Sequence, residues 1–236
     1  MQFYSPDSQP ILGPIVLLPQ KGSVSGGSKR PLNSFAVLRD GYSILFDAPV
    51  SWALDGIARL ADGGRPPRAL VLSHRNLCSS GDAFAEIVER YGCPVLLHPA
   101  DQTHPEAGEA GVAFGDPTTD PVLADAGVEA VHVPGHTDGS IVLHLADEGG
   151  IVLAGDCAVG PGPEQSDRTR RLERPLGAAD GSDFVESWKG IVERLPIAAV
   201  LPLHGEGYLR RDVGDEAFDR IVRNIWAGEP MDPRRA

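Results

Sequence analysis

Apolar residues fall in short runs broken by turn formers, with stretches of helical period between them. Residues 11–18 are an apolar run bounded by prolines. They read as one strand at a sheet edge, because Pro14 cannot donate to a ladder. Residues 34–38 and 42–46 flank Arg39-Asp40-Gly41, and Asp-Gly between apolar runs predicts a hairpin. The period then changes. Trp52, Leu54, Ile57, Ala58 and Ala61 predict a helix closed by Gly63-Gly64. Phe84, Ile87, Val88 and Tyr91 mark a second helical stripe, stopped by Gly92. Short apolar runs at 69–72 and 95–97 alternate with these helices in a β-α-β rhythm.

Residues 98–126 are acidic, rich in Gly, Pro and Thr, and weakly periodic; they read as loop with one or two short strands. Runs at 128–133, 141–145 and 151–153 are strands, with Asp147-Glu148-Gly149-Gly150 as the turn between the last two. Residues 157–180 show no period and read as a surface excursion. Arg168, Arg170, Arg171 and Arg174 alternate there with Glu164, Asp167 and Glu173. A mixed-charge solvated loop is the plainer reading, and a lid over an anionic substrate the sharper one. Phe184, Trp188, Ile191, Val192 and Leu195 line one helical face, with Asp183 and Glu186 spaced as a capping box. A strand at 198–201 precedes a last amphipathic helix carrying Phe218, Ile221, Val222, Ile225 and Trp226. A meander followed by β-α units thus occurs twice. Two mixed sheets face to face with helices outside, a four-layer αββα sandwich of the α/β class, bury every apolar face this pattern creates. No Gly/Pro/Ser linker divides the chain, so 1–236 reads as a single domain.

Composition narrows the function. Among 236 residues, 21 Lys and Arg face 33 Asp and Glu, a formal charge of −12. Such a surface repels phosphate backbones and anionic bilayers at long range, which argues against nucleic acid and membrane as partners. No apolar stretch is long enough to span a bilayer, and MQFYSPDSQP lacks a basic-then-apolar leader. Three scattered cysteines give no disulfide framework, so a reducing cytoplasm is the expected setting. A small-molecule substrate is the expected partner, with a homo-oligomer left open.

Candidate chemistry gathers where polar residues follow short strands. His74, His136, Asp156 and His204 each sit at such a strand end. Imidazoles and a carboxylate brought together on a rigid rim suit zinc or another borderline divalent ion. Pro134-Gly135-His136-Thr137-Asp138-Gly139-Ser140, Leu153-Ala154-Gly155-Asp156 some 20 residues on, His204-Gly205, and Asp47 after Ile44-Leu45-Phe46 occur in one order. In that order and spacing the chain resembles the metallo-β-lactamase superfamily over about residues 33–210. The resemblance implies the αββα fold and hydrolysis by metal-activated water.

The departure from the family pattern is equally specific. Where the family carries His-x-His-x-Asp-His, this chain has His74-Arg75-Asn76-Leu77-Cys78-Ser79. By the resemblance, one metal site would use positions 74, 76 and 136, and the other positions 78, 79 and 204, with Asp156 bridging. Asn76 and Ser79 are poor zinc donors, whereas a Cys78 thiolate would be a good one. The expectation is therefore one ion at most, held by His74, His136 and Asp156 with Cys78 or His204, with an empty site as the rival. Asp156 and His74 are the candidate catalytic residues. Asp47, Asn76 and Ser79 would support the ligand loops from behind. Cys78 could also be a small buried filler or a reactive thiol. The function so implied is a divergent metal-dependent hydrolase of a small ester, thioester, lactone or phosphoester. The alternative is a catalytically inactive protein of the same fold with a binding or structural role.

Overall fold

The computed structural model describes residues 5–20, 30–162, 171–175 and 181–228. It contains two mixed sheets. The first has seven strands in the order β1 (Gln9–Leu12), β2 (Ile15–Leu17), β3 (Phe35–Arg39), β4 (Tyr42–Phe46), β5 (Pro67–Val71), β6 (Val95–Leu96) and β7 (Phe114–Gly115). Its first four strands form an antiparallel meander, and β4 to β7 run parallel. The second sheet has five strands. In spatial order these are β12 (Tyr208–Leu209), β11 (Ala199–His204), β10 (Ile151–Val159), β9 (Ile141–Leu145) and β8 (Val128–His132), with only β10 and β11 parallel.

Three apolar clusters fill the spaces between layers. Phe35, Ile44, Phe46 and Val71 of the first sheet meet Leu143, Leu153 and Leu201 of the second in the central layer. On the outer face of the first sheet, Leu45 and Leu70 pack against Ile57 of α1 (Leu54–Asp62) and Phe84 and Ile87 of α3 (Phe84–Tyr91), α2 being the short Asn76–Ser80 helix. On the other side, Val142, Val152 and Val200 pack against Phe184, Trp188 and Ile191 of one helix and Phe218 and Ile225 of another. With α4 (Pro99–Gln102), α5 (Pro105–Gly108) and α6 (Pro121–Asp125) before them, these two are α7 (Ser182–Arg194) and, beyond α8 (Arg210–Val213), α9 (Asp215–Ala227). Each large side chain buried in this way contributes about 1.5–3 kcal/mol. The four-layer sandwich expected from the alternating pattern is thus present.

Local readings needed correction in four places. Residues 11–18 are not one strand: Gly13 takes φ 51° and turns the chain, so β1 and β2 form a hairpin with Pro14 in its turn. Residues 98–126 carry three short helices besides β7. Each has Pro at its first position and an N-cap side chain, His98, His104 or Asp120, accepting a backbone N–H. Asp183 and Glu186 form no capping box, because α7 starts at Ser182 and its N-cap is Gly181, two residues before Asp183. The excursion after residue 156 begins as strand, since β10 continues to Val159 and bridges Glu173. Arg168, Arg170, Glu164 and Asp167 lie outside the described residues, as does most of the 20–30 loop. Arg171 pairs with Glu173, and Arg174 donates to the Trp226 carbonyl.

Candidate metal centre

His74, His136, Asp156 and His204 come from both sheets and meet at one end of the sandwich. His74 follows β5, and Ser73 beside it is tied to the second sheet where Ile141 N–H donates to its carbonyl at 2.9 Å. Asp156 lies inside β10 at an irregularity in the pairing with β11. Gly155 makes that irregularity possible, with φ 51° and its Cα pressed against Ser73: a Cβ there would lie 2.2 Å from the Ser73 Cβ. His204 ends β11. Its turn is pinned by the buried Asn33, whose side-chain nitrogen donates to the carbonyls of Pro202 (2.8 Å) and Gly205 (2.7 Å).

The imidazoles converge on one carboxylate oxygen. Asp156 Oδ2 lies 3.7 Å from His74 Nε2, 3.6 Å from His136 Nε2 and 3.9 Å from His204 Nε2. These separations exceed hydrogen-bonding distance. They are close to the edge of a zinc tetrahedron, where ligands at about 2.0–2.2 Å from the ion sit about 3.3–3.6 Å apart. The donor atoms of His74, His136 and Asp156 all lie within 4.8 Å of one another. Asp156 Oδ1 and His204 Nδ1 are buried without a hydrogen-bond partner. Two imidazoles, one carboxylate and its orphaned second oxygen fit a single borderline divalent ion, while His204 faces the same carboxylate oxygen but lies outside that 4.8 Å group.

Electrostatics keep His74 and Asp156 in their ligating forms. Burial pushes the His74 imidazole down to about 4, only partly countered by Asp156, so the ring is neutral at pH 7. Ser73 Oγ lies 2.9 Å from His74 Nδ1, which leaves Nε2 as the nitrogen facing Asp156. Burial alone would raise the Asp156 carboxyl. The neighbouring His204, His74 and His136 outweigh it and hold the group below the usual carboxylate value.

The other sequence candidates are placed differently. Asn76 sits at the mouth of the site, its side-chain nitrogen 3.3 Å from His136 Nε2. Ser79 donates to the Asn76 carbonyl on the exposed side of α2. Cys78 is turned away from the donors: it is buried in the apolar cluster beneath the first sheet, beside Leu77 and Phe84. Burial, with Asp101, Glu106 and Glu109 adding, pushes its thiol up to about 12. It is not among the donor atoms that gather within 4.8 Å of one another. Asp47 is fully buried behind His74, and its Oδ1 accepts the Ser73 N–H at 2.7 Å. Burial raises its carboxyl to about 8, with Ser73 opposing.

Sequence reasoning missed Asp101. This fully buried carboxylate of α4 takes hydrogen bonds from Arg75, Thr137 and Gly139, the residues that follow His74 and His136. Burial would lift it, but these donors outweigh burial and hold it below its usual value. The one trace in the sequence is the His98-Pro99 start of α4. A cleft of about 410 Å³ opens over the donors, walled by Leu32, Leu77 and Leu203 and rimmed by Asn76, Ser79, Ser80 and Glu106.

Residues 28–205 match the family model described as the metallo-beta-lactamase superfamily. An uncharacterized protein of Mycobacterium leprae is 28% identical over 194 residues, covering 71% of this chain and 83% of its own. One from Mycobacterium tuberculosis is 28% identical over 198 residues, covering 71% and 82%. Among solved structures, a metallo-beta-lactamase from Erythrobacter litoralis superposes with a TM-score of 0.67 at 17% identity, over 92% of this chain and 94% of that one. The FIM-1 enzyme of Pseudomonas aeruginosa, in a mono-zinc form, gives 0.61 at 18%, over 94% and 96%. At such identities these two share the fold with this chain.

Proposed function

The chain belongs to the metallo-β-lactamase superfamily, and on that premise we propose that it is a divergent metal-dependent hydrolase working with one divalent ion, zinc by the chemistry of its donors. The observation that carries this reading is the approach of three imidazole Nε2 atoms to within 3.6–3.9 Å of a single Asp156 oxygen. A mono-zinc form described for one structural neighbour supports a single ion on this fold.

His74, His136, Asp156 and His204 would hold the ion. When bound, it supplies Lewis-acid polarisation of the scissile group and a lowered pKa for water. Asp156 Oδ1, buried and unpartnered, would orient the attacking water by accepting its hydrogen bond. Neutral His74 keeps Nε2 available. Asn76, Ser79 and Ser80 offer hydrogen bonds to a substrate in the cleft, and Leu32, Leu77 and Leu203 exclude water from its apolar part. The cleft suits a small ester, thioester, lactone or phosphoester. The three cysteines are all free and buried, which suits a cytoplasmic setting.

Asn76, Cys78 and Ser79 stand where the family pattern has three ligands, and this favours a second reading: a protein that keeps the fold for binding or structure. Metal analysis of protein purified without added metal, then titration with Zn²⁺, Mn²⁺ and Fe²⁺, separates the two. One ion per chain, lost in His136→Ala, is expected of the hydrolase. A protein that takes up none of the three ions is not a metal-dependent hydrolase.

A further inference from the structure

Two of the four donors sit on loops from different sheets, and both loops dock on one side chain. Asp101 Oδ2 accepts the Arg75 backbone N–H (2.9 Å) and the Thr137 hydroxyl (2.7 Å). Asp101 Oδ1 accepts Arg75 Nη1 (2.8 Å) and the Gly139 N–H (2.9 Å). Each oxygen therefore takes one donor from the residue after His74 and one from the loop after His136. The carboxylate is fully buried, so all four bonds form where water cannot replace them.

The fit is tight on the His136 side. A Cβ at Gly139 would lie 2.6 Å from the Asp101 Cγ, so the loop rests directly on α4. The Thr137 hydroxyl also lies 2.8 Å from Ser140 Oγ, which accepts the Thr137 N–H at 3.0 Å. Thr137, Gly139 and Ser140 of the His136 motif are thus explained by one task, seating their loop on this carboxylate.

We propose that Asp101 is a positioning residue that fixes the His74 and His136 rings at their 4.7 Å centroid separation and so sets the affinity of the site for a divalent ion. The second half of this statement rests on the reading that the site holds an ion; the first half does not. Asp101 touches neither imidazole and acts through Arg75 and Thr137. Partners that orient metal ligands typically alter metal affinity by about 10–100-fold when removed.

The test uses metal-free full-length protein titrated with Co²⁺ and followed by absorption. Asp101→Asn places a donor against two donors, and its Co²⁺ affinity is expected to fall about 10–100-fold. Thr137→Val leaves the carboxylate and three of its bonds, so the test survives if Asp101→Asn does not fold. It is expected to lose about tenfold, while Thr137→Ser, which restores the hydroxyl, matches the wild type. Equal affinity in wild type and Thr137→Val overturns the proposal, as does a loss in Thr137→Ser as large as in Thr137→Val. If the wild type takes up no Co²⁺, the ion reading fails, and the positioning role is judged on imidazole NMR of the metal-free protein. The His136 signals should then shift or broaden in Thr137→Val, while those of His144 on β9, bonded to the Pro196 carbonyl, hold. Unmoved His136 signals overturn it.

Discussion

The Asn76 side-chain nitrogen lies 3.3 Å from His136 Nε2 and donates to the same lone pair that an ion would need. Asn76 therefore competes with metal rather than assisting it. Asn76→Ala removes a hydrogen bond of net worth about 0.5–1.5 kcal/mol, so Zn²⁺ affinity should rise roughly 2–12-fold. Asn76→His converts the competitor into a ligand and should tighten Zn²⁺ further without raising the ratio above one ion per chain. Competitive titration against a chromogenic chelator measures both. A weaker Asn76→Ala would mean that the amide oxygen ligates, and the competition argument would be lost.

Cysteine chemistry is a separate matter. All three thiols are free and buried. Burial raises Cys78 to about 12 and Cys93 to about 11, and lifts Cys157 as well. The thiolate is the reactive and ligating form. A disulfide reagent at pH 8 should therefore label none of them quickly in the native protein and all three after unfolding. Cys78→Ala should leave Zn²⁺ affinity unchanged. A fast-labelling thiol that disappears in Cys78→Ala would restore Cys78 as a functional residue.

The pH dependence of stability follows from two buried groups in metal-free protein. Asp47 is raised by burial from 3.8 to about 8. Between those values the folded state keeps a proton that the unfolded chain has released, so stability falls as pH rises. His74 is lowered by burial from 6.5 to about 4. There the unfolded chain binds a proton that the folded state refuses, so stability rises with pH up to 6.5. The two oppose one another below pH 6.5, and Asp47 acts without His74 from 6.5 to 8. Melting temperature should fall across that upper window in the wild type and stay flat in Asp47→Asn. An equal fall in both proteins would clear Asp47 of the effect.

The sequence made the architecture readable because β4, α3 and β9 each carry a pattern long enough to hold its period, and Asp40-Gly41 and Gly92 punctuate them. It made His74, His136, Asp156 and His204 readable because their types and strand-end positions are chemically unusual. Helices of four or five residues such as α4, α5 and α6 cannot show a 3.6-residue period, so residues 98–126 looked like loop. The choice among ligand, reactive thiol and buried filler at Cys78 stayed open for a related reason. Only once Asn76–Ser80 is known to be helical does it follow that Asn76 and Ser79 face the cleft while Cys78 faces the core. Asp101 was hidden because its meaning lies in Arg75, Thr137 and Gly139, 26–38 residues away.

Gly155 offers the most direct test of how closely the two sheets must approach to build the site. Its φ of 51° is a left-handed conformation that costs an L-residue about 1–2 kcal/mol. A Cβ there would also meet the Ser73 Cβ at 2.2 Å, and forcing a carbon into so packed a place costs typically about 1–3 kcal/mol. Gly155→Ala should therefore lose about 2–5 kcal/mol of stability, measured by denaturant titration. The collision pushes apart Ser73 and the β10 backbone, hence His74 and Asp156, so the variant should also bind Zn²⁺ more weakly than the wild type. Gly150 tests whether any tight glycine would do as much: its φ is 110° and its Cβ would meet the Pro196 carbonyl at 1.9 Å, but it flanks none of the four donors. Gly150→Ala should lose stability while keeping more of the Zn²⁺ affinity than Gly155→Ala. If both variants lose metal equally, the close contact of Ser73 with Gly155 has no special part in holding the donors together.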